Sequence, residues 1–155
     1  MRSLELESFA DGGPGLVRSL GEWAPFPDTV RAMRTMARRR RLWIISNIDR
    51  VLLAATLGQL QAPLSMTVTA EEAKAYKPDP APFRLALERM GLGPDEVLHA
   101  AFGWKYDLAP ARALGMRTCF VTRPTVVELP APERLAELGA DLVVESLGEL
   151  AERLG

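Results

Sequence analysis

A chain of 155 residues, 48% hydrophobic and 25% charged, is sized for one domain with one apolar core. Nineteen cationic against twenty acidic side chains leave a formal charge of −1, so no global field draws the chain to nucleic acid or to an anionic membrane. No apolar run approaches the length of a membrane span, the first ten residues lack the apolar stretch of a secretory signal, and one cysteine allows no internal disulfide, which together point to the cytoplasm.

Residues 3–20 have the character of a short helix, interrupted by Asp11-Gly12-Gly13-Pro14-Gly15. Pro25-Phe26-Pro27-Asp28 predicts a turn with Asp28 as a helix N-cap, and Val30, Met33 and Met36 then recur at helical spacing to about Arg39. Leu42-Trp43-Ile44-Ile45 is an unalternating apolar run ending in Ser46-Asn47, the pattern of a strand buried on both faces. A helix over 49–58, closed by Gly58, follows. Met66-Thr67-Val68-Thr69 predicts a second strand. Asp79 and Pro80 then supply the N-cap and first position of a helix whose stripe is Phe83, Leu87 and Met90 and whose end is Gly91. A third strand runs from Val97 to Ala101, and a helix from Leu108 to Leu114 stops at Gly115. Arg117 to Thr122 is a fourth strand, Pro124 to Pro132 a loop, and a short helix reaches Leu138. Leu142-Val143-Val144 is a fifth strand, and Ser146 with Glu149 forms a capping box for the last helix. Such alternation predicts right-handed βαβ units on a parallel sheet, whose ligands bind at the carboxyl ends of the strands.

The polar residues just beyond those strand ends are the candidates for chemistry. Ser46 and Asn47 offer a hydroxyl and an amide that can hold an anionic oxygen, though the same residue types also cap helices. Lys77, in Ala75-Tyr76-Lys77-Pro78-Asp79-Pro80, sits between a strand and a proline-started helix; its ammonium can offset a carboxylate or a phosphate, although most lysines are simply solvated. Asp107 follows the third strand, where a carboxylate can orient Lys77, position water, help bind a metal or simply cap the next helix. Phe102 and Trp104 beside it predict an apolar wall without metal ligands. His99 has no second histidine with which to hold a metal, Cys119 reads as a small core residue, and the arginines between Arg31 and Arg41 read as a solvated face near a helix C-terminus.

The order of these segments resembles the haloacid dehalogenase superfamily. A strand ending in Ser-Asn, then Lys-Pro-Asp-Pro, then a strand and loop ending in Asp before Ala-Pro-Ala-Arg-Ala-Leu-Gly-Met follows that family's pattern from about Leu16 to Gly155. Ser46 matches the family's second motif, Lys77 its third and Asp107 the later acid of its fourth; Glu22 to Val30 resembles the return from a helical cap to the core. The family's first motif, a strand-end aspartate that acts as nucleophile, has no match, since Asp11-Gly12-Gly13 does not follow an apolar strand. Phe102 stands where the family's magnesium-dependent phosphatases carry a metal-binding acid, so the resemblance is closest to the 2-haloacid dehalogenases, which need no metal; their Ser-Ser-Asn form of this loop is absent.

The resemblance implies a Rossmann-like three-layer α/β/α sandwich with a parallel sheet, with 25–155 as the core and 1–24 as a remnant of cap and linker. It further implies a hydrolase of the 2-haloacid dehalogenase type acting through an aspartyl ester. Ser46 and Asn47 would hold a small anionic substrate, Lys77 would stabilise carboxylates, and Asp107 would orient Lys77 or water, with no cofactor and no metal. A phosphatase for a small phosphoester and a non-catalytic binding or remnant domain are the alternatives. Without the first motif the chain is expected to begin inside the cap, to lack the sheet's first strand and to be inactive alone. Residues 42–46 and 97–101 should then either pair directly or flank a slot filled by the N-terminal stretch or by a second copy in a homodimer.

Overall fold

The structure is a computed structural model that describes residues 19–123 and 139–155. The helix expected within 3–20 falls almost wholly outside these residues, and so do the loop and short helix expected between 124 and 138. Leu20–Glu22 forms a single 3₁₀ turn.

The chain then alternates as α1 (Thr29–Ala37), β1 (Trp43–Ser46), α2 (Arg50–Leu60), β2 (Met66–Thr69), α3 (Ala70–Ala73) and α4 (Ala81–Met90). It continues with β3 (Leu98–Ala101), α5 (Ala109–Ala113), β4 (Arg117–Val121), β5 (Leu142–Val144) and α6 (Leu147–Leu154). Every strand pair is parallel, as the alternation requires. Helices cover both faces. Cys119 and Val121 of β4 pack with Val144 and Leu150, backed by Met36 of α1. A second cluster gathers Phe83 of α4, Ala111 of α5 and Met116, with Ile45, Leu87 and Val97 against it.

The strands form two sheets, β1-β2 and β3-β4-β5. Direct pairing of 42–46 with 97–101 is therefore not what the structure shows, and among the described residues no strand pairs with either free edge. Burial follows from this. All four residues of β1 and all four of β3 are only half-buried, whereas β4, paired on both edges, is buried from Thr118 to Val121. The expectation of a first strand buried on both faces is corrected accordingly: β1 pairs along one edge, and each of its four residues stays partly exposed.

Several boundaries also differ. α2 runs through Gly58 to Leu60 and ends at Gln61, which takes the left-handed conformation (φ 45°). A glycine inside an exposed helix costs about 1 kcal/mol without ending it; here the exit is held from outside, by Arg34 Nε donating to the Gln61 carbonyl at 2.9 Å. Asp28 does not cap α1 with its side chain; its carboxylate is drawn instead to Arg123 and to the Gly148 N–H. Only half of the last capping box forms. Ser146 Oγ accepts from Glu149 N, but the Glu149 carboxylate accepts from Glu145 N. Asp79 is not the N-cap: Pro80 holds that position, α4 begins one residue later than expected, and Asp79 accepts from Ala81 N at 2.8 Å from just outside the helix.

Candidate active site at the strand ends

β1 delivers Ser46 and Asn47, and Asn47 turns back onto the segment before α4. Its Oδ1 accepts from Lys77 N at 2.7 Å and its Nδ2 donates to Lys77 O at 3.0 Å. One amide thus imitates a strand partner and fixes the Lys77 backbone at two points. Both of its polar atoms are engaged there, and the amide nitrogen carries a second N–H, so these bonds leave the expected contact with a substrate carboxylate open. Ser46 lies between Asn47 and Ile45 and is half-buried. The first turn of α2 receives a carboxylate from within the chain, Arg50 N donating to Glu71 Oε2 at 3.1 Å, as the free N–H groups of a helix start favour.

The Glu71 that reaches α2 belongs to α3, a helix absent from the sequence reading. Thr69 caps it, accepting from Glu72 N at 3.3 Å, while Glu72 Oε2 accepts from Thr69 N at 3.0 Å. Thr69-Ala70-Glu71-Glu72 is the threonine-x-x-glutamate form of a capping box, so the signal was present in the sequence.

With its backbone held, Lys77 extends its ammonium between the two sheets. Nζ donates to the Ile45 carbonyl at 3.0 Å and to Asp107 Oδ1 at 2.5 Å. These are two of its three donors, which leaves one for a ligand. Both side chains are largely shielded, with relative exposures of 11% and 16%. Asp107 is carried on a wide π-type turn over Trp104–Leu108, closed by the Asp107 and Leu108 N–H groups on the Gly103 carbonyl. Burial alone would raise the Asp107 carboxyl; hydrogen bonds from His99 and Lys77 and the lysine charge outweigh it and hold the carboxyl below its usual range. Asp107 therefore stands as a carboxylate beside a charged donor.

The structure thus joins Lys77, Asp107 and, through the Lys77 backbone, Asn47, with Ser46 adjoining. It also brings in His99, which the sequence did not single out. His99 Nε2 lies 3.4 Å from Asp107 Oδ1, and the ring stands edge-on to Phe83 at 5.2 Å between centroids. Only the turn between Ala101 and Asp107 creates this approach, and no periodicity in the sequence announces such a turn.

Phe102 is 45% exposed beside the site, its ring 6.2 Å from that of Phe120. A divalent cation of the magnesium type does not fit the donors present. It would want several hard oxygens, whereas Asp107 Oδ1 is taken by Lys77, Phe102 offers none, and no group of three His, Cys, Asp or Glu side chains converges among the described residues. Cys119 is fully buried, and burial pushes its thiol up to about 11, which removes it as a nucleophile near neutrality. The arginine run lies elsewhere. Arg31, Arg34 and Arg38 line an open groove of about 490 Å³ with Pro27, Val30 and Thr35, and Arg39 donates to the Gly155 carbonyl. No helix among the described residues is long and apolar enough to cross a membrane.

The family model for haloacid dehalogenase-like hydrolases matches residues 13–122. Over 138 residues the chain is 33% identical to haloacid dehalogenase-like hydrolase domain-containing protein 3 of Danio rerio, covering 85% of this chain and 53% of that protein. Over 126 residues it is 27% identical to (S)-2-haloacid dehalogenase 4A of Burkholderia cepacia, covering 79% and 54%. The crystal structure of an L-2-haloacid dehalogenase superposes with a TM-score of 0.77 at 31% identity, over 87% of this chain and 58% of that one. The chain spans about half the length of the curated relatives it matches.

Proposed function

The chain belongs to the haloacid dehalogenase-like hydrolases, and on that premise we propose that it supplies the lysine–aspartate part of a hydrolytic site for a small 2-halogenated carboxylate. The observation that carries this reading is the shielded Lys77–Asp107 pair at 2.5 Å, reaching the Ile45 carbonyl, with Phe102 in place of a metal-binding acid. Two relatives named as (S)-2-haloacid dehalogenases support the substrate class.

In this reading an aspartate carboxylate attacks C2 of the substrate. The C–O ester bond forms as the C–halogen bond breaks, and the halide leaves with the bonding electrons. Water then adds to the ester carbonyl and gives up a proton, which releases the hydroxy acid and restores the aspartate. The residues of this chain act around those steps. The ammonium of Lys77 offsets the carboxylates brought together, Asp107 aims that ammonium and orients the water, Asn47 locks the Lys77 backbone, and Ser46 holds the substrate carboxylate. The strands of the described residues end in Ser46, Thr69, Ala101, Val121 and Val144, none of them a carboxylate. We assign the nucleophile to a further parallel strand seated between the free edges of β1 and β3.

The test is reconstitution. Mixed with a synthetic peptide whose apolar strand ends in Asp-x-x-Gly-Thr, the chain is expected to release chloride from 2-chloropropionate, and neither component to do so alone. Lys77→Ala should reduce that release by about 10²–10³-fold, the usual cost of removing one preorganised donor. Phosphate release from p-nitrophenyl phosphate by the same mixture, with 2-chloropropionate left intact, would overturn the substrate class.

A further inference from the structure

We propose that His99 is a positioning residue of the Lys77–Asp107 pair, its imidazole steering the Asp107 carboxylate so that Oδ1 is presented to the lysine. The proposal rests on the reading of Lys77 and Asp107 as the working pair, and three observations carry it. His99 and Lys77 approach the same oxygen: Nε2 lies 3.4 Å from Asp107 Oδ1 and Lys77 Nζ lies 2.5 Å from it. The imidazole is itself fixed, since it sits in β3, is 13% exposed and stands at 76° to the ring of Phe83, which is fully buried in the second core cluster. The other carboxylate oxygen lies against the backbone of Gly103. Asp107 Oδ2 would lie 2.6 Å from a Cβ built on Gly103, so it occupies the space that the glycine leaves open.

Lysine alone cannot supply this orientation. Its ammonium ends a flexible four-carbon stem and presents three equivalent donors, so it follows a carboxylate more readily than it directs one. A ring held in a strand directs. At 3.4 Å the imidazole contact is long for an N–H···O bond, which suits selection among carboxylate orientations better than tight binding. The role requires a particular tautomer. In the neutral ring the proton must lie on Nε2, which then donates, because a lone pair there would face the carboxylate oxygen. A histidine that merely packs against Phe83 has no such requirement.

His99 is the only histidine in the chain, so its imidazole signals need no assignment. Long-range ¹H–¹⁵N spectra of the unaltered 155-residue chain, recorded where the ring is neutral, are expected to show the Nε2–H tautomer. Predominant Nδ1–H would overturn the proposal, and this reading needs no variant that could misfold. A second measurement follows the Asp107 carboxyl carbon through an acid titration. His99→Phe keeps a ring against Phe83 and removes the donor, so the carboxyl should titrate higher than in the wild type; His99→Gln restores a donor and should bring it back. An Asp107 titration identical in the wild type and His99→Phe would reduce His99 to packing. Both readouts are taken without substrate. Their failure removes the role of His99 and leaves the hydrolytic reading standing, while failed reconstitution of turnover leaves the tautomer result intact.

Discussion

Gly103 has backbone angles open to any residue, φ −78° and ψ 104°, so its glycine is required by space alone. A methyl group there would meet Asp107 Oδ2 at 2.6 Å. Gly103→Ala should therefore displace the carboxylate or the turn that carries it, at a cost of about 1–3 kcal/mol for overpacking. The expected outcome is a lower melting temperature together with an altered Lys77 Nζ resonance; a variant that melts and resonates like the wild type would contradict it. Cys119 gives a second prediction at this scale. With its thiol pushed to about 11 by burial, it should resist a disulfide reagent at pH 8 in the native chain and react on denaturation. Fast labelling of the native protein would contradict the buried β4. Lys77 and Asp107 could be named from the sequence because their order and spacing resemble two motifs of one family, and segments beyond strand ends converge in a parallel sheet. The Asn47 clamp could not be, because it depends on the path of the chain between β2 and α4, which residue types do not specify.

Between elements, Arg123 does the joining. It leaves β4 with its backbone in the left-handed region (φ 49°), donates to Asp28 Oδ1 at 2.6 Å and to Thr29 Oγ1 at 3.3 Å, and lies over the ring of Phe26. Asp28 Oδ2 in turn accepts from Gly148 N at 3.0 Å. One carboxylate thereby ties the start of α1 to the end of β4 and to the first turn of α6. Asp28→Asn removes the charge from this joint and should cost about 1.5–3 kcal/mol, the range for hydrogen bonds to a charged group, as read from a denaturation midpoint. Burial alone would raise the Asp28 carboxyl; the Arg123 guanidinium and the Gly148 N–H outweigh it, and the carboxyl ends below its usual range. The folded group is then the stronger acid. Its contribution is complete above the unfolded value, near 3.8, and is lost as pH falls through the lower folded value. Asp107 follows the same sign. Stability should therefore fall in acid below about pH 4 and fall less steeply in Asp28→Asn; an equally steep fall in that variant would exclude this joint as a source. Apart from α3, the order and type of the described helices and strands were legible from apolar periodicity and from breakers such as Gly91 and Gly115. The helix past Gly58 and the diversion of Asp28 were not, because in both places a distant arginine decides, Arg34 at Gln61 and Arg123 at Asp28.

Across the whole molecule the division into two sheets governs what is exposed. β1 and β3 each pair along one edge, and β4 pairs along both. Amides of Trp43–Ser46 and Leu98–Ala101 should exchange with deuterium faster than those of Arg117–Val121, and binding of the strand peptide should slow them. Equal protection in all three strands before any peptide is added would show that the free edges are already covered. The parallel α/β architecture was legible from the alternation of elements. The separation of β1 from β3 was foreseen only as one of two alternatives, and only from the family resemblance, since no local pattern in either strand records which segment lies between them. In the proposed reading a small carboxylate held at Ser46 lies against the ammonium of Lys77. It is tested most directly by adding 2-chloropropionate to the chain with its lysine and arginine side chains isotopically labelled. A saturable shift of the Lys77 Nζ resonance is expected, lost in Lys77→Met, with the Arg31, Arg34 and Arg38 groove unmoved. A saturable response at those arginines with Lys77 unchanged would contradict it.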